Sequence, residues 1–223
     1  SQGNAGETLV SAGELIIDGG GLSENVTGIF SATASNSMGN AGRVSVTVTG
    51  LLHMLSGGEI GSSSFSIGKA GEVIVDVGKM EIDNSVISSG ALFWLNGGVG
   101  NIKINASSGD IQLNHRAFIT TINLARVGIP KESGNIEINL TNGSLYLNDS
   151  SQINTKSIIG HGGKIEISAK EALSLSNSSV TTSVDGPTGN GGDINLASNF
   201  LILDTGFIEA NTLAANASGG DIN

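Results

Sequence analysis

The sequence has no cysteine in its 223 residues, which excludes disulfides and thiolate-ligated metal sites. A chain without thiols also suits export across a membrane in the unfolded state. Prolines number only two, so tight turns fall to the 34 glycines, through positive φ or close backbone approach. Aromatic residues make up 4% of the chain, as expected for a narrow core of stacked aliphatic side chains. Basic residues are half as frequent as acidic ones, 10 against 20, for a formal net charge of −10. That balance argues against nucleic acid and anionic membrane surfaces, both of which need clustered Lys and Arg. No run of 18 apolar residues occurs, so no membrane-inserted helix is expected. Helix-length amphipathic patterns are lacking too.

What the chain has is a repeat. A glycine followed by a short alternating strand recurs at Gly6, Gly42, Gly71, Gly100, Gly134, Gly163, Gly192 and Gly220, with separations of 36, 29, 29, 34, 29, 29 and 28 residues. Such a period marks a solenoid, in which each repeat buries its apolar face only against its neighbours. The second, fourth and sixth residues after each glycine are mostly apolar, as in Val44, Val46 and Val48, Ile102, Ile104 and Ala106, or Ile136, Ile138 and Leu140. Polar residues such as Lys103, Glu137, Glu166 and Asn195 separate them. Alternation of period two is a strand with one buried face. A second apolar pair follows a short turn, exemplified by Leu52 and Met54 or Leu145 and Leu147. A third apolar position comes seven or eight residues after that pair's first member, at Leu22, Ile60, Ile87, Ile119, Ile153, Val180 and Ile208.

Three strands per repeat predict an all-β, right-handed parallel β-helix of about seven coils with three parallel sheets, the hand following from the strand–crossover–strand rule. At ~4.8 Å per rung the stack spans roughly 34 Å. The pattern argues against a doubly wound α/β fold, because three strands fill the 29-residue repeat and leave no room for a helix in most repeats. The first and fourth repeats are long, and their extra residues are expected after the third strand. Residues 1–223 read as one β-helical segment, expected to be a fragment of a longer exoprotein because neither end carries a polar cap. No signal peptide is expected, since the first residues already belong to the repeat.

The repeat text is distinctive. Asn40-Ala41-Gly42-Arg43-Val44-Ser45-Val46 recurs as Lys69-Ala70-Gly71-Glu72-Val73-Ile74-Val75 and as Gly191-Gly192-Asp193-Ile194-Asn195-Leu196. Segments such as Gly57-Gly58-Glu59-Ile60-Gly61-Ser62 and Gly206-Phe207-Ile208-Glu209-Ala210 fill the middle of the repeat. In rhythm, over essentially the whole chain, this resembles the repetitive stalk of filamentous-haemagglutinin-like large exoproteins, which Gram-negative bacteria secrete by two-partner systems. The resemblance implies a parallel β-helix that is secreted or held at the cell surface and used in adhesion and virulence. It also implies an outer-membrane two-partner transporter as export partner, engaged through a domain outside this chain. The family's secretion-module motif is absent here, so no secretion residues carry over.

Candidate chemistry is sparse. A β-helical polysaccharide lyase or glycoside hydrolase needs carboxylates converging from neighbouring coils, ~5–9.5 Å apart for glycoside hydrolysis. The best acidic grouping is Glu72 and Asp76 on one strand with Glu81 and Asp83 on the next, expected to lie on different sheets. Glu137 and Glu166 should be neighbours across coils, offset by Lys103 and Lys164. Asp193 and Asp221 follow paired glycines, but the nine-residue period of calcium-binding glycine–aspartate repeats is missing. His53, His115 and His161 fall in separate repeats without metal spacing, so neither a metal nor a cofactor is expected. Asn114 and Asn148, with Asp83 before them, occupy equivalent positions and predict an Asx ladder along the axis. Asn-x-Ser/Thr triplets at Asn25, Asn105, Asn139, Asn142, Asn148, Asn177 and Asn216 follow from composition.

The loop after the third strand differs in every coil. It holds Phe93 and Trp94, the only tryptophan, in one coil, and Arg126 in the next. Loops on a rigid scaffold commonly carry recognition, so Phe93, Trp94 and Arg126 are the candidate ligand-binding residues, for a host glycan or surface receptor. The competing reading is a small side core folded onto a sheet. The expected function is a non-catalytic, adhesive segment. The alternatives are the polysaccharide-acting enzyme and an ice- or surface-binding solenoid, for which Thr120, Thr155 and Thr181 hint at a flat threonine row.

Overall fold

The computed structural model describes residues 3–21, 26–35, 37–92, 97–126 and 132–223. Among these, seventeen strands and no helix occur. In chain order they are β1 (Thr8–Ala12), β2 (Leu15–Asp18), β3 (Thr27–Thr33), β4 (Val44–Leu55), β5 (Gly58–Ser64) and β6 (Val73–Asp83). Then come β7 (Val86–Ala91), β8 (Ile102–Ala106), β9 (Ile111–Asn114), β10 (Phe118–Asn123), β11 (Ile136–Leu140) and β12 (Leu145–Asn148). The chain closes with β13 (Gln152–Ser157), β14 (Ile165–Ser176), β15 (Ser179–Val184), β16 (Ile194–Asp204) and β17 (Phe207–Thr212). Every pairing between these strands is parallel, and equivalent strands of successive repeats lie side by side. The protein is a parallel β-solenoid of about six turns.

Three ladders are present as expected, but they form two sheets rather than three. The first and second ladders merge into a ten-stranded sheet, and the third is a seven-stranded sheet. The merger comes from β4, β6, β14 and β16, which run through the first corner without breaking. A local register shift, between Val48 and Leu51 or between Ala169 and Ala172, turns the strand there. In the coils opened by Gly100 and Gly134 the same corner is longer, and the strand stops at Ala106 or Leu140 before resuming at Ile111 or Leu145. The turn count falls below the expected seven because seven rungs enclose six steps.

Register follows the apolar pattern. Val44, Val73, Ile102, Ile136, Ile165 and Ile194 form one inward row. Leu52, Met80, Ile111, Leu145 and Leu173 form a second. All eleven are essentially fully buried in one continuous core. In the third ladder the row runs Ile29, Ile60, Ile87, Ile119, Ile153, Val180 and Ile208. Ile29 therefore holds the slot expected for Leu22, which lies outside the described residues. The extra residues of the first repeat precede its third strand, since Leu15 pairs with Leu52 while Ile29 pairs with Ile60. In the fourth repeat they follow it, as expected, between Asn123 and the strand opening at Ile136. The last rung has one neighbour instead of two, so Leu201 and Leu203 remain 50% and 49% exposed.

The anchor glycines have a steric cause that periodicity alone does not reveal. A Cβ on Gly42, Gly71, Gly100, Gly134, Gly163, Gly192 or Gly220 would sit 1.9–2.1 Å from the carbonyl oxygen of the preceding anchor. Backbone passes directly over backbone at this corner, and no side chain fits. Gly6 has no rung beneath it, and a Cβ there meets nothing within 4 Å.

A buried hydroxyl column from the third ladder locks the same corner. Ser62 Oγ donates to the Gly42 carbonyl at 2.9 Å and accepts the Gly71 N–H at 2.8 Å. Ser89 repeats this between the Gly71 carbonyl, at 3.0 Å, and the Gly100 N–H, at 3.1 Å. Thr121, Thr155 and Thr182 continue the column and donate to the carbonyls of Gly134, Gly163 and Gly192 at 2.6–2.8 Å. Each hydroxyl supplies the partner that a buried backbone group requires.

Two stability predictions follow. Gly100→Ala should destabilise the chain by about 3 kcal/mol or more, at the upper end of overpacking effects, whereas Gly6→Ala should be within ~0.5 kcal/mol of the parent. Denaturant titration of the pair measures both. Ile138→Ala and Leu147→Ala, at fully buried positions, should each cost about 2–5 kcal/mol. Ile138→Asp should cost more, because it buries a charge without a partner.

Candidate recognition surface

With the core closed, function falls to the outward faces and the loops. The first ladder presents two polar columns. In one, Lys103, Glu137 and Glu166 are cross-strand neighbours. Lys103 Nζ donates to Glu137 Oε1 at 2.9 Å, and Lys164 lies 2.6 Å from Glu166. The two lysines offset the adjacent carboxylates as the sequence implied. The hydrogen bond from Lys103, joined by one from Asn139 at 2.7 Å, holds the Glu137 carboxyl below its ordinary value. The same contact raises Lys103. In the other column Asn105 donates to Asp76 at 2.7 Å and Asn139 to Asn105 at 3.3 Å.

The second ladder carries the expected Asx ladder, with Asn148 Nδ2 donating to Asn114 Oδ1 at 2.9 Å and Asp83 in register below. At the following corner Asn84, His115, Arg116, Asp149, Ser150 and Asn177 all adopt positive φ. This left-handed geometry turns His115 between two carboxylates of neighbouring coils. Its Nδ1 lies 2.8 Å from Asp83 and its Nε2 3.5 Å from Asp149. The hydrogen bond and charge of Asp83, then the charge of Asp149, raise the His115 pKa above 6.5.

The acidic residues considered for catalysis are arranged differently from the expectation, and three of them face separate partners. Glu72 precedes β6, and Asp76, Glu81 and Asp83 all lie on that single strand in one sheet, not on two. Asp76 is bonded to Asn105, Glu81 lies 4.0 Å from His53, and Asp83 holds His115. The third histidine, His161, accepts the Asn190 N–H on Nδ1 at 3.1 Å. Asp193 likewise accepts the Asp221 N–H, at 3.0 Å. Among the described residues no group of three or more His, Cys, Asp or Glu side chains is placed to hold a metal ion. The amides of Asn105, Asn139, Asn142, Asn148 and Asn177 each donate to the preceding coil, so these triplet asparagines serve as rungs of polar ladders. Asn25 lies outside the described residues.

The third ladder's outward column reads Phe30, Gly61, Ser88, Thr120, Asn154, Thr181 and Glu209. Thr155 is absent from it, because it pairs with Thr121 and Thr182 and faces the core. The threonine row is thereby broken at Asn154, which accepts from Thr120 at 2.5 Å.

Of the candidate ligand-binding residues, Phe93 and Trp94 lie outside the described residues, and Arg126 is exposed. The segments that carry them start from one place. β7 and β10 pair residue for residue up to Ala91 and Asn123. Beyond those ends Leu92 N–H bonds the Ser64 carbonyl and Leu124 N–H bonds the Ala91 carbonyl, each at 2.9 Å. The two loops leave the sheet edge from adjacent rungs.

Sequence reasoning passed over the outer face of β3 and β5, where Phe30 and Phe65 are exposed. The signal was available in the outward register of Phe30. Compared with protein-family models, curated proteins and solved structures, the chain matches none.

The His115 contact has a pH signature. A raised folded-state pKa contributes stability in full below the ordinary histidine value and loses it as pH rises through the folded value. NMR titration should place the His115 imidazole above 6.5, and Asp83→Asn should return it toward that value. Because His115 is 64% exposed on its side chain, the accompanying fall in Tm with rising pH should be small.

Proposed function

We propose that this chain is a non-catalytic stalk segment of a secreted or surface-held exoprotein of the filamentous-haemagglutinin-like kind, exported by two-partner secretion, and that it presents loops to a host glycan or surface receptor. The observation that carries the reading is the common exit of the loops at 92–99 and 124–133 from adjacent rungs of one sheet edge. A rigid stack below and dissimilar loops above is the division of labour of a recognition scaffold. The polar columns of the first two ladders support it as well, since Lys103, Glu137, Asp76, Asp83 and His115 each face a neighbour within the stack. Large apolar and aromatic anchors with an adjacent arginine are the groups that dominate recognition energetics.

Glycan and matrix-protein arrays, followed by titration of any hit, test the proposal. Trp94→Ala and Phe93→Ala should weaken binding at least about tenfold while leaving the melting temperature unchanged. Normal binding with early melting would instead assign these side chains to a side core. The purified chain should not cleave pectin, alginate or glycosaminoglycans. Reproducible cleavage, abolished by replacing Glu81 or Asp83, would establish the enzyme reading in its place.

A further inference from the structure

A second feature lies on the outer face of the third ladder, on the two rungs before the one from which the 92–99 loop leaves. β3 and β5 pair in register with Phe30 beside Gly61 and Ala32 beside Ser63. Along β5 the outward residues are Glu59, Gly61 and Ser63, and Phe65 follows the strand end. Val26, Phe30, Ala32, Glu59, Ser63 and Phe65 line a trough of about 120 Å³. Phe30 and Phe65 are 46% and 42% exposed, two of only six phenylalanines in the chain standing together in solvent. Glu59 is the trough's one charged group, half-buried and free of any cation among the described residues. Ser88 Oγ donates to Glu59 Oε1 at 3.2 Å. That contact crosses Gly61, where a Cβ would come within 2.7 Å of the Ser88 hydroxyl. The glycine thus leaves room for the serine that orients the carboxylate.

We infer that this trough takes the side chain of a lysine presented by a basic protein partner. Its chemistry runs apolar along most of its length and anionic at one end. A lysine side chain is the complement, a hydrocarbon stem ending in an ammonium group. The volume is that of roughly four water molecules, at about 30 Å³ each, and is well below the ~300 Å³ of small-molecule pockets. A volume of this size suits one extended side chain. Phe30 and Glu59 are diagonal cross-strand neighbours, roughly 7–8 Å apart at Cα, so a cation on the carboxylate also meets the ring. The formal charge of −10 draws basic partners to the surface.

The test is a titration of the whole chain, followed by backbone amide NMR, with Nα-acetyl-lysine methylamide. Nα-acetyl-norleucine methylamide, which has a similar stem and no ammonium, serves as the parallel probe. Saturable shifts should centre on Glu59–Phe65 and Phe30, with the lysine probe bound at least tenfold more tightly. Glu59→Gln should reduce the lysine probe to the norleucine level, and Phe30→Ala should weaken both probes. Glu209→Gln, on the same outer column but at the far rung, should change nothing. Trp94→Ala should also leave this binding intact, so the site stands or falls independently of the loops. Equal binding of the two probes, an unaffected Glu59→Gln protein whose melting matches the parent, or shifts scattered over all the acidic residues would overturn the assignment.

Discussion

The structure depends on the approach of backbone to backbone at the anchor corner. Successive glycines lie so close along the axis that a methyl group on one would sit 1.9–2.1 Å from the carbonyl of the rung before. That contact sets where each coil starts on its predecessor. Once the start is set, strand periodicity carries valine onto isoleucine and leucine onto leucine through the whole stack, because a slip of one residue would turn every inward row outward. The hydroxyls of Ser62, Ser89, Thr121, Thr155 and Thr182 secure the corner from inside. A buried backbone carbonyl without a partner would cost about 1–3 kcal/mol at each rung.

This architecture shapes the surface as well. Equivalent outward residues of successive coils lie one strand spacing apart, so side chains along a column meet whether or not they attract. The chain answers with complementary neighbours. Lys103 sits on Glu137, Asn105 on Asp76, Asn148 on Asn114, and His115 between Asp83 and Asp149. Such contacts are individually small at exposed sites, and they engage these polar groups with one another along the stack. The column pattern lapses in two places. These are the loops leaving the third ladder, and the trough between Phe30, Phe65 and Glu59.

The readings that held rest on local periodicity. The buried rows, the lysine-offset glutamates and the Asx ladder all follow from counting residues from an anchor glycine, because equal offsets become equal positions in a stack. The readings that failed rest on where a corner takes up extra chain. Leu22 has the spacing of the third apolar position, but Ile29 pairs with Ile60, since the first coil widens before its third strand. Thr155 looks like a surface threonine by spacing from Thr120. It is one residue out of phase with it across β13 and therefore faces the core. Continuous strands through the first corner escaped notice for a similar reason, because a bulge and a true turn have nearly the same length in residues.

The sequence by itself determined the parallel solenoid, its repeat length and its aliphatic core, because each depends on periodicity that a linear text records in full. Tertiary structure alone decided which glycines are sterically obligatory, which hydroxyls lock the corner, and how the ladders join into two sheets. It alone also brought Phe30, Phe65 and Glu59 around one trough, across two coils. These features arise between residues far apart in sequence, 8–20 positions for the hydroxyl contacts and about one repeat for the rest. Contact there depends on the path of the chain through each corner, and that path is set by packing on the adjacent rung.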